Sequence, residues 1–333
     1  WTLPIVAVGL WLVTSNIVGG VYPALVQRLN VEPDEVNKES PYVAYNIEFT
    51  REAYGLSDVE VEPFAADPVL TPDDLAVNAT TIDNIRLWDP GVLKATYQQL
   101  QNIVTYYDIG DVDVDRYVID GDLTQVMVSA RELEEGGIPG EGWVTERLVY
   151  THGFGSVLSP ANDVTTQGQP DFLVKDIPPV NLSDDPSLTI EQPRIYFSDH
   201  AETDYVIAGT SQQEVDFPIG SSGADVATNS YDGNGGVKLG GFFQRLAWAL
   251  RFGNLDTLIS DRLDSDSKVL LERNLRSRIS RLAPFLYGDA DPYNVIAEGQ
   301  LKWVMDLYTI TDRYPYSAPA STARLNAGEG LPN

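Results

Sequence analysis

The sequence predicts an α+β protein: one N-terminal transmembrane helix followed by a large mixed helix/antiparallel-sheet domain. Three observations predict it. Trp1 to Gln27 carries no charged residue, and Arg28 is the first. Helical spacing, then two-residue alternation, then helical spacing again succeed one another in that order, which suits α+β better than a parallel α/β sheet. Asp120-Gly121 stands between two alternating runs and signals a tight hairpin.

The N-terminal stretch is long enough, at about 1.5 Å per residue, to cross a hydrocarbon core of roughly 30 Å. Asn16, Gly19 and Gly20 weaken it, and small or mildly polar residues of that kind often face other helices rather than lipid. A secretory signal peptide is the competing assignment, but the basic leader it wants is missing. A buried soluble helix is the other. The chain opens in mid-span, as a piece of a longer polypeptide would. Only Arg28 and Lys38 lie close behind the span, so the positive-inside rule leans toward an outside placement for the domain after it.

The expected divisions are a transmembrane helix over 1–28, a linker over 29–40, an α+β domain over 41–316 and an extended tail over 317–333. Pro41 opens a helical pattern over about 42–55, with Tyr42, Tyr45, Ile47, Phe49 and Tyr54 on its apolar face. Residues 57–80 read as a loop or short strands. Asp89-Pro90 is a helix start, an acidic cap before a first-turn proline, and the helix runs to about Ile103. Strands are expected over Val112–Ile119 and Val126–Val128, then at 148–150, 172–174, 195–197 and 205–208. Residues 220–236, rich in Gly, Ser, Asn and Asp, read as a long mobile or ligand loop. Helices are expected over 239–252 and 265–282.

Composition excludes several functions. With 22 Lys+Arg against 49 Asp+Glu the net charge is −27. Nucleic-acid backbones need a basic footprint, so they are not expected as partners, and docking on an anionic membrane surface is disfavoured. The chain has no cysteine and two histidines, which removes thiol nucleophiles, disulfides and Cys-based metal sites. The charge is uneven: Lys238 to Arg281 holds nine Lys/Arg and five Asp/Glu. Within it, Arg273, Arg276, Arg278 and Arg281 are candidates for contact with an anion or a partner. The plainer assignment is a solvated face that pairs with the acidic remainder of the domain.

Asp111-x-Asp113-x-Asp115 resembles the start of a calcium loop, because hard cations need only oxygens. Arg116 and Asp122 stand where an EF-hand needs Gly and Glu, so any calcium site there would be of another kind. The same spacing fits a strand with one acidic face. His152, in Tyr150-Thr151-His152-Gly153-Phe154-Gly155-Ser156, is the candidate catalytic base, at a Gly-rich turn after a strand. A nucleophile elbow would want Gly-x-Ser-x-Gly, and Ser156 lacks that frame. A histidine hydrogen-bonded within a turn is the simpler alternative. His200 reads as a surface residue, and Asp289-Ala290-Asp291-Pro292 as a surface turn. Asp232-Gly233-Asn234-Gly235-Gly236 offers backbone N–H groups to an anion.

Several segments together resemble the uncharacterised protein family 0182, large prokaryotic integral membrane proteins. They include Asn84-Ile85-Arg86-Leu87-Trp88-Asp89-Pro90, Tyr106-Tyr107-Asp108, Asp111 to Tyr117, Ser129-Ala130-Arg131-Glu132-Leu133 and Tyr150-Thr151-His152-Gly153. Asp176-Ile177-Pro178-Pro179, Ala283-Pro284-Phe285-Leu286 and Tyr314-Pro315-Tyr316-Ser317 continue the match in order. The resemblance implies about seven membrane helices before a large extracytoplasmic domain. This chain would hold the last helix and most of that domain. It supplies no activity or catalytic residue to carry over; no cofactor is expected, calcium at the Asp111 run being the alternative.

The expectation is therefore a membrane-anchored extracytoplasmic domain in the cell membrane, with a structural or interaction role in an envelope or membrane complex. Its partners would be the bilayer, other membrane helices and further proteins of the complex. An envelope hydrolase using His152, or a cation-dependent module at Asp111, Asp113 and Asp115, are the alternatives. The balance leans away from an enzyme.

Overall fold

The computed structural model describes residues 2–63, 69–101, 103–220, 225–311 and 313. The chain divides into two compact units, one built on the N-terminal helix and one on the residues from about 69 to 310.

The first unit is helix α1, Thr2–Ala53. Among the described residues it is the one helix long and apolar enough to cross a membrane. None of its residues is buried within this chain. Its regularity changes twice ahead of prolines. A wide π-type turn over Ile17–Val21 precedes Pro23, and another over Gln27–Val31 precedes Pro33. A proline cannot return the i→i−4 bond, so the ladder re-registers one turn earlier. The segment expected as a linker, 29–40, is helical. Glu32, Glu35, Lys38 and Glu39 favour helix, and Pro33 falls in the first turn of its local segment. Pro41, expected to open a helix, lies inside Glu35–Ala53.

The second unit begins with α2 (Pro72–Val77) and α3 (Ala79–Asp83), where a loop was expected. Thr71 caps α2 reciprocally with Asp74: the Asp74 amide donates to Thr71 Oγ1 at 3.2 Å, and the Thr71 amide to Asp74 Oδ2 at 2.8 Å. Helix α4 (Pro90–Gln101) starts at Asp89-Pro90, and Asp89 Oδ1 accepts from the Gly91 amide at 3.0 Å.

The central sheet takes β1 (Tyr107–Ile109), β2 (Asp113–Ile119) and β3 (Asp122–Leu133), followed by the short β4 (Gly153–Phe154) outside it. Then come β5 (Ser156–Pro160), β6 (Val174–Lys175) and β7 (Val180–Asn181). The order is β1-β3-β5-β6-β7, all antiparallel, and β2 shares with β1 the same edge of the long β3. Asp120 and Gly121 both adopt positive φ, 54° and 94°, the signature of a type I′ turn whose twist matches the strands. Leu93 and Tyr97 of α4 pack with Ile109, Val112, Met127 and Val157 in one core. Val126, Val128, Leu158 and Val174 join Leu188 and Ile296 in a second core. The Tyr97 hydroxyl, fully buried, bonds Ser159 Oγ at 2.7 Å.

Strand β8 (Arg194–Ile195) pairs with β4. β9 (Tyr205–Ala208) falls where alternation placed it, with Tyr205 and Ile207 in one core and Val206 and Ala208 in another. β10 (Glu214–Ile219) pairs with β11 (Asp225–Asn229), so part of the expected 220–236 loop is strand. Residues 221–224 of that loop lie outside the described residues, as does the expected tail. The expected strand at 148–150 is a wide helical turn, Thr145–Val149.

After β12 (Val237–Lys238) come α5 (Phe242–Phe252) and α6 (Asp256–Ile259). The expected helix over 265–282 is two elements, β13 (Lys268–Leu271) and α7 (Leu275–Leu282). β13 is paired on both sides, by β12 and β9. Val269 and Leu270 are both buried because each face meets a core, which erases the alternation. Hairpins close the described chain: β14 (Tyr287–Gly288) pairs with β17 (Leu307–Tyr308) around β15 (Tyr293–Ala297) and β16 (Gln300–Val304).

Candidate functional site

Four segments deliver five charged side chains to one small cleft. Asp111 comes from the β1–β2 link, Asp113 from the start of β2 and Glu132 from near the end of β3. Asp199 and His200 come from the β8–β9 link, and Pro292, Asn294 and Trp303 close the wall. Gly110 makes the crossing possible: a Cβ there would stand 2.6 Å from Glu132 Oε1.

Cations hold part of this acidity. Lys94 Nζ meets Asp111 Oδ1 at 2.8 Å. Arg276 forks onto Asp199, Nε to Oδ1 at 2.8 Å and Nη2 to Oδ2 at 2.6 Å. The His200 amide donates to Glu132 Oε2 at 3.0 Å, and its ring Nδ1 lies 3.3 Å from Glu132 Oε1. The Glu132 carboxylate holds the His200 imidazole up, at about 9, against its partial burial, and Asp111 and Asp199 add to this. Among the described residues Asp113 has no such partner. Burial pushes its carboxyl up to about 7, and Asp291, Asp111, Glu132 and Asp199 push the same way. Burial and Asp111 also raise Asp291, against the pull of Arg276. A carboxyl that exchanges its proton near neutrality is the distinctive chemical property of this cleft.

A second cluster is built around a buried histidine. His152 is 1% exposed. Its Nδ1 lies 2.9 Å from Thr151 Oγ1, which donates at 2.7 Å to Glu214 Oε2. Its Nε2 faces Asp216 Oδ1 at 3.4 Å. Tyr196 donates to Glu214 Oε2 at 2.7 Å and lays its ring beside the imidazole, with centroids 4.7 Å apart. Arg194 forks onto Asp216 at 2.7 and 2.8 Å. Burial raises both carboxyls, but His152, Tyr196 and Thr151 hold Glu214 below its ordinary value, and His152 and Arg194 do so for Asp216. Every hydroxyl within reach of His152 is committed to Glu214. Ser156 points elsewhere, donating to the Ser129 carbonyl at 2.7 Å. The cluster has the geometry of a buried hydrogen-bond network.

The other candidates separate in space or in role. Asp115 turns back to accept from the Arg116 amide at 2.7 Å, so Asp111, Asp113 and Asp115 do not share one cage. Among the described residues no group of three or more His, Asp or Glu has the geometry to hold a metal ion. Arg273 is 2% exposed, with Nη2 donating to the Thr151 carbonyl at 3.0 Å and Nη1 to Thr203 Oγ1 at 2.6 Å; it braces the interior and faces no solvent. Burial lowers its guanidinium to about 10. Arg278 lies 4.4 Å from the Phe197 ring centroid, and Arg281 pairs with Glu272 at 2.7 Å. The helix thus pairs largely within its own domain. Gly233 and Gly235 offer carbonyls to Lys268 and Tyr231, where an anion nest would offer N–H groups. His200 and Asp291 are exposed, as expected, but His200 lines the cleft and Asp291 lies close enough to raise Asp113. Neither has a local signal, because their partners arrive through the fold. Glu214, Asp216 and Arg194 were likewise missed.

The family described as Uncharacterised protein family (UPF0182) matches residues 1–330, a span that contains both clusters. The chain belongs to that family. A UPF0182 protein of Pelotomaculum thermopropionicum is 44% identical over 319 residues, covering 95% of this chain and 34% of that protein. One of Methanospirillum hungatei is 45% identical over 305 residues, covering 91% and 33%. One of Trichodesmium erythraeum is 41% identical over 318 residues, covering 95% and 34%. The chain spans about a third of the length of the curated relatives it matches. No solved structure matches it.

Proposed function

We propose that this chain is a membrane-anchored part of a larger UPF0182 protein, with its folded unit on the extracytoplasmic side in a binding or structural role within a membrane complex. The carrying observation is the N-terminal helix: long, apolar over its first half and without one buried residue in this chain. Such a surface requires a hydrocarbon or helical environment. The acidic composition and the scarcity of Lys and Arg just after the apolar run support the outside placement. The enclosure of His152 favours binding over hydrolysis, since a general base must reach its substrate's proton.

The test uses the absence of cysteine from this chain. Ser187 is exposed, and Ser187→Cys in the full-length protein, with any cysteine elsewhere in it replaced, gives one reporter thiol. Labelling by a membrane-impermeant maleimide in intact cells is the expected result. Labelling only after the membrane is opened would overturn the placement. Purification in mild detergent as one copy of this protein alone would overturn the complex.

A further inference from the structure

A larger cavity, about 660 Å³, opens where the turn carrying Arg147, strand β9, the end of α5 and residues 271–281 meet. Its arginines are unusual for so acidic a protein. Arg194, Arg273, Arg276 and Arg281 each have a carboxylate within 3.4 Å. Arg147 and Arg251 line the cavity and have no ion pair among the described residues. Glu272, on the same wall, is already taken by Arg281 and by Ser277 at 3.0 Å. The other two acids, Glu202 and Asp204, are exposed to solvent.

Arg147 is held in place. Its guanidinium lies over the Tyr205 ring, 5.0 Å from the centroid. Tyr205 stacks on Phe252 at 3.6 Å and 4°, and Phe252 on Trp248 at 5.4 Å and 17°. Trp143 Nε1 donates to the Tyr205 hydroxyl at 3.1 Å and fixes the ring. A contact with the ring face uses no N–H group of the guanidinium, which leaves its donors for an acceptor. Nη1 is enclosed and has no acceptor among the described residues. A buried donor without a partner is destabilising, so its persistence calls for a reason. Burial chiefly lowers the Arg273 guanidinium, and the nearby Arg147 charge adds to this while Glu135 opposes it.

We propose that this cavity seats the phosphate group of a ligand, with Arg147 as the pre-oriented donor and Arg251 closing from α5. Guanidinium forks recognise oxyanions through paired N–H bonds. Two forks from separate elements suit a tetrahedral oxyanion, which presents acceptors in several directions, better than a planar carboxylate. The phosphate belongs either to a soluble ester or to a lipid headgroup.

The test is a thermal-unfolding titration of the full-length protein in detergent with sodium phosphate, at ionic strength held constant with sodium chloride. A second arm uses nanodiscs of phosphatidylcholine with and without phosphatidic acid. Phosphate is expected to raise Tm in a saturable way, with affinity at least tenfold weaker in Arg147→Gln and in Arg251→Gln. Arg147→Lys keeps the charge and loses the fork, so an intermediate loss is expected. A saturable effect of inorganic phosphate in detergent assigns a soluble ester. An Arg147- and Arg251-dependent effect confined to phosphatidic acid assigns a headgroup. No effect of either probe, or effects unchanged in both Gln variants, would overturn the proposal. Should Arg147→Gln fail to fold, the exposed Arg251→Gln decides.

Discussion

Arg276 grips Asp199 with both edges of its guanidinium, at 2.8 and 2.6 Å, although the arginine side chain is 47% exposed and the aspartate 6%. The asymmetry predicts the cost of breaking the pair. Arg276→Ala returns a hydrated cation to nothing but strands a nearly buried carboxylate among Asp111, Asp113 and Asp291. A loss of about 1–3 kcal/mol in denaturant unfolding is expected. Arg276→Lys should recover less than half of it, because one ammonium cannot make two parallel bonds. Full recovery by lysine would mean that charge alone matters.

Asp113 gives a stability effect with a fixed sign. Its carboxyl is raised from 3.8 in the unfolded chain to about 7 in the fold. Between those values the folded protein keeps a proton that the unfolded chain has released. Folding is opposed progressively as pH rises through this window, and the penalty is complete above 7. Asp113→Asn removes it. The variant should be more stable than the parent at pH 8, on the order of 1–3 kcal/mol, with the difference closing toward pH 4. Parallel unfolding curves across that range would refute the assignment.

His200 gives a pH dependence of the same sign, but as a stabilising group lost at high pH where Asp113 is a penalty gained. Glu132 raises its imidazole from 6.5 to about 9. The stabilisation is fully present below 6.5 and disappears as pH climbs through 9. The ring is 46% exposed, so solvent screening limits the cost of His200→Gln to about 1 kcal/mol at pH 6, and the cost should vanish by pH 10. Thermal melts at the two pH values check it directly.

Arg273 is one of two fully buried arginines among the described residues, with Arg131. Its donors reach the Tyr196 and Thr151 carbonyls, Thr203 and Glu135. Arg273→Ala should cost about 3–5 kcal/mol, by cavity and stranded acceptors together. A variant with near-parental unfolding would show that the surrounding chain collapses to fill the space.

Legibility in the sequence tracked the range of the interactions. The Asp120-Gly121 hairpin, the start of α4 and β9 are specified by neighbours in the chain, and all three are where the residues place them. β13 is hidden because its two buried faces remove the period that marks a strand, while the succeeding Leu275, Ile279 and Leu282 extend a helical period across it. The capping pair Thr71 and Asp74 was readable but lay in a stretch dominated by Pro and Asp. In the cleft, Asp111 and Asp113 announce themselves by spacing. Glu132, Asp199 and Asp291 do not, because only sheet pairing and the β8–β9 link bring them within reach. His152 stood out by its flanking glycines, which prove to serve close packing: a Cβ at Gly153 would lie 2.5 Å from the Arg131 carbonyl.

Among the described residues, nothing before Leu93 is buried, so the first 63 positions contribute no side chain to the five apolar cores. Substitutions along that helix therefore act as a probe of its surroundings. On the proposed membrane placement, a substitution scan from Leu3 to Leu29 is expected to separate lipid-facing from helix-facing positions, with the melting of the five apolar cores as an internal control that stays constant.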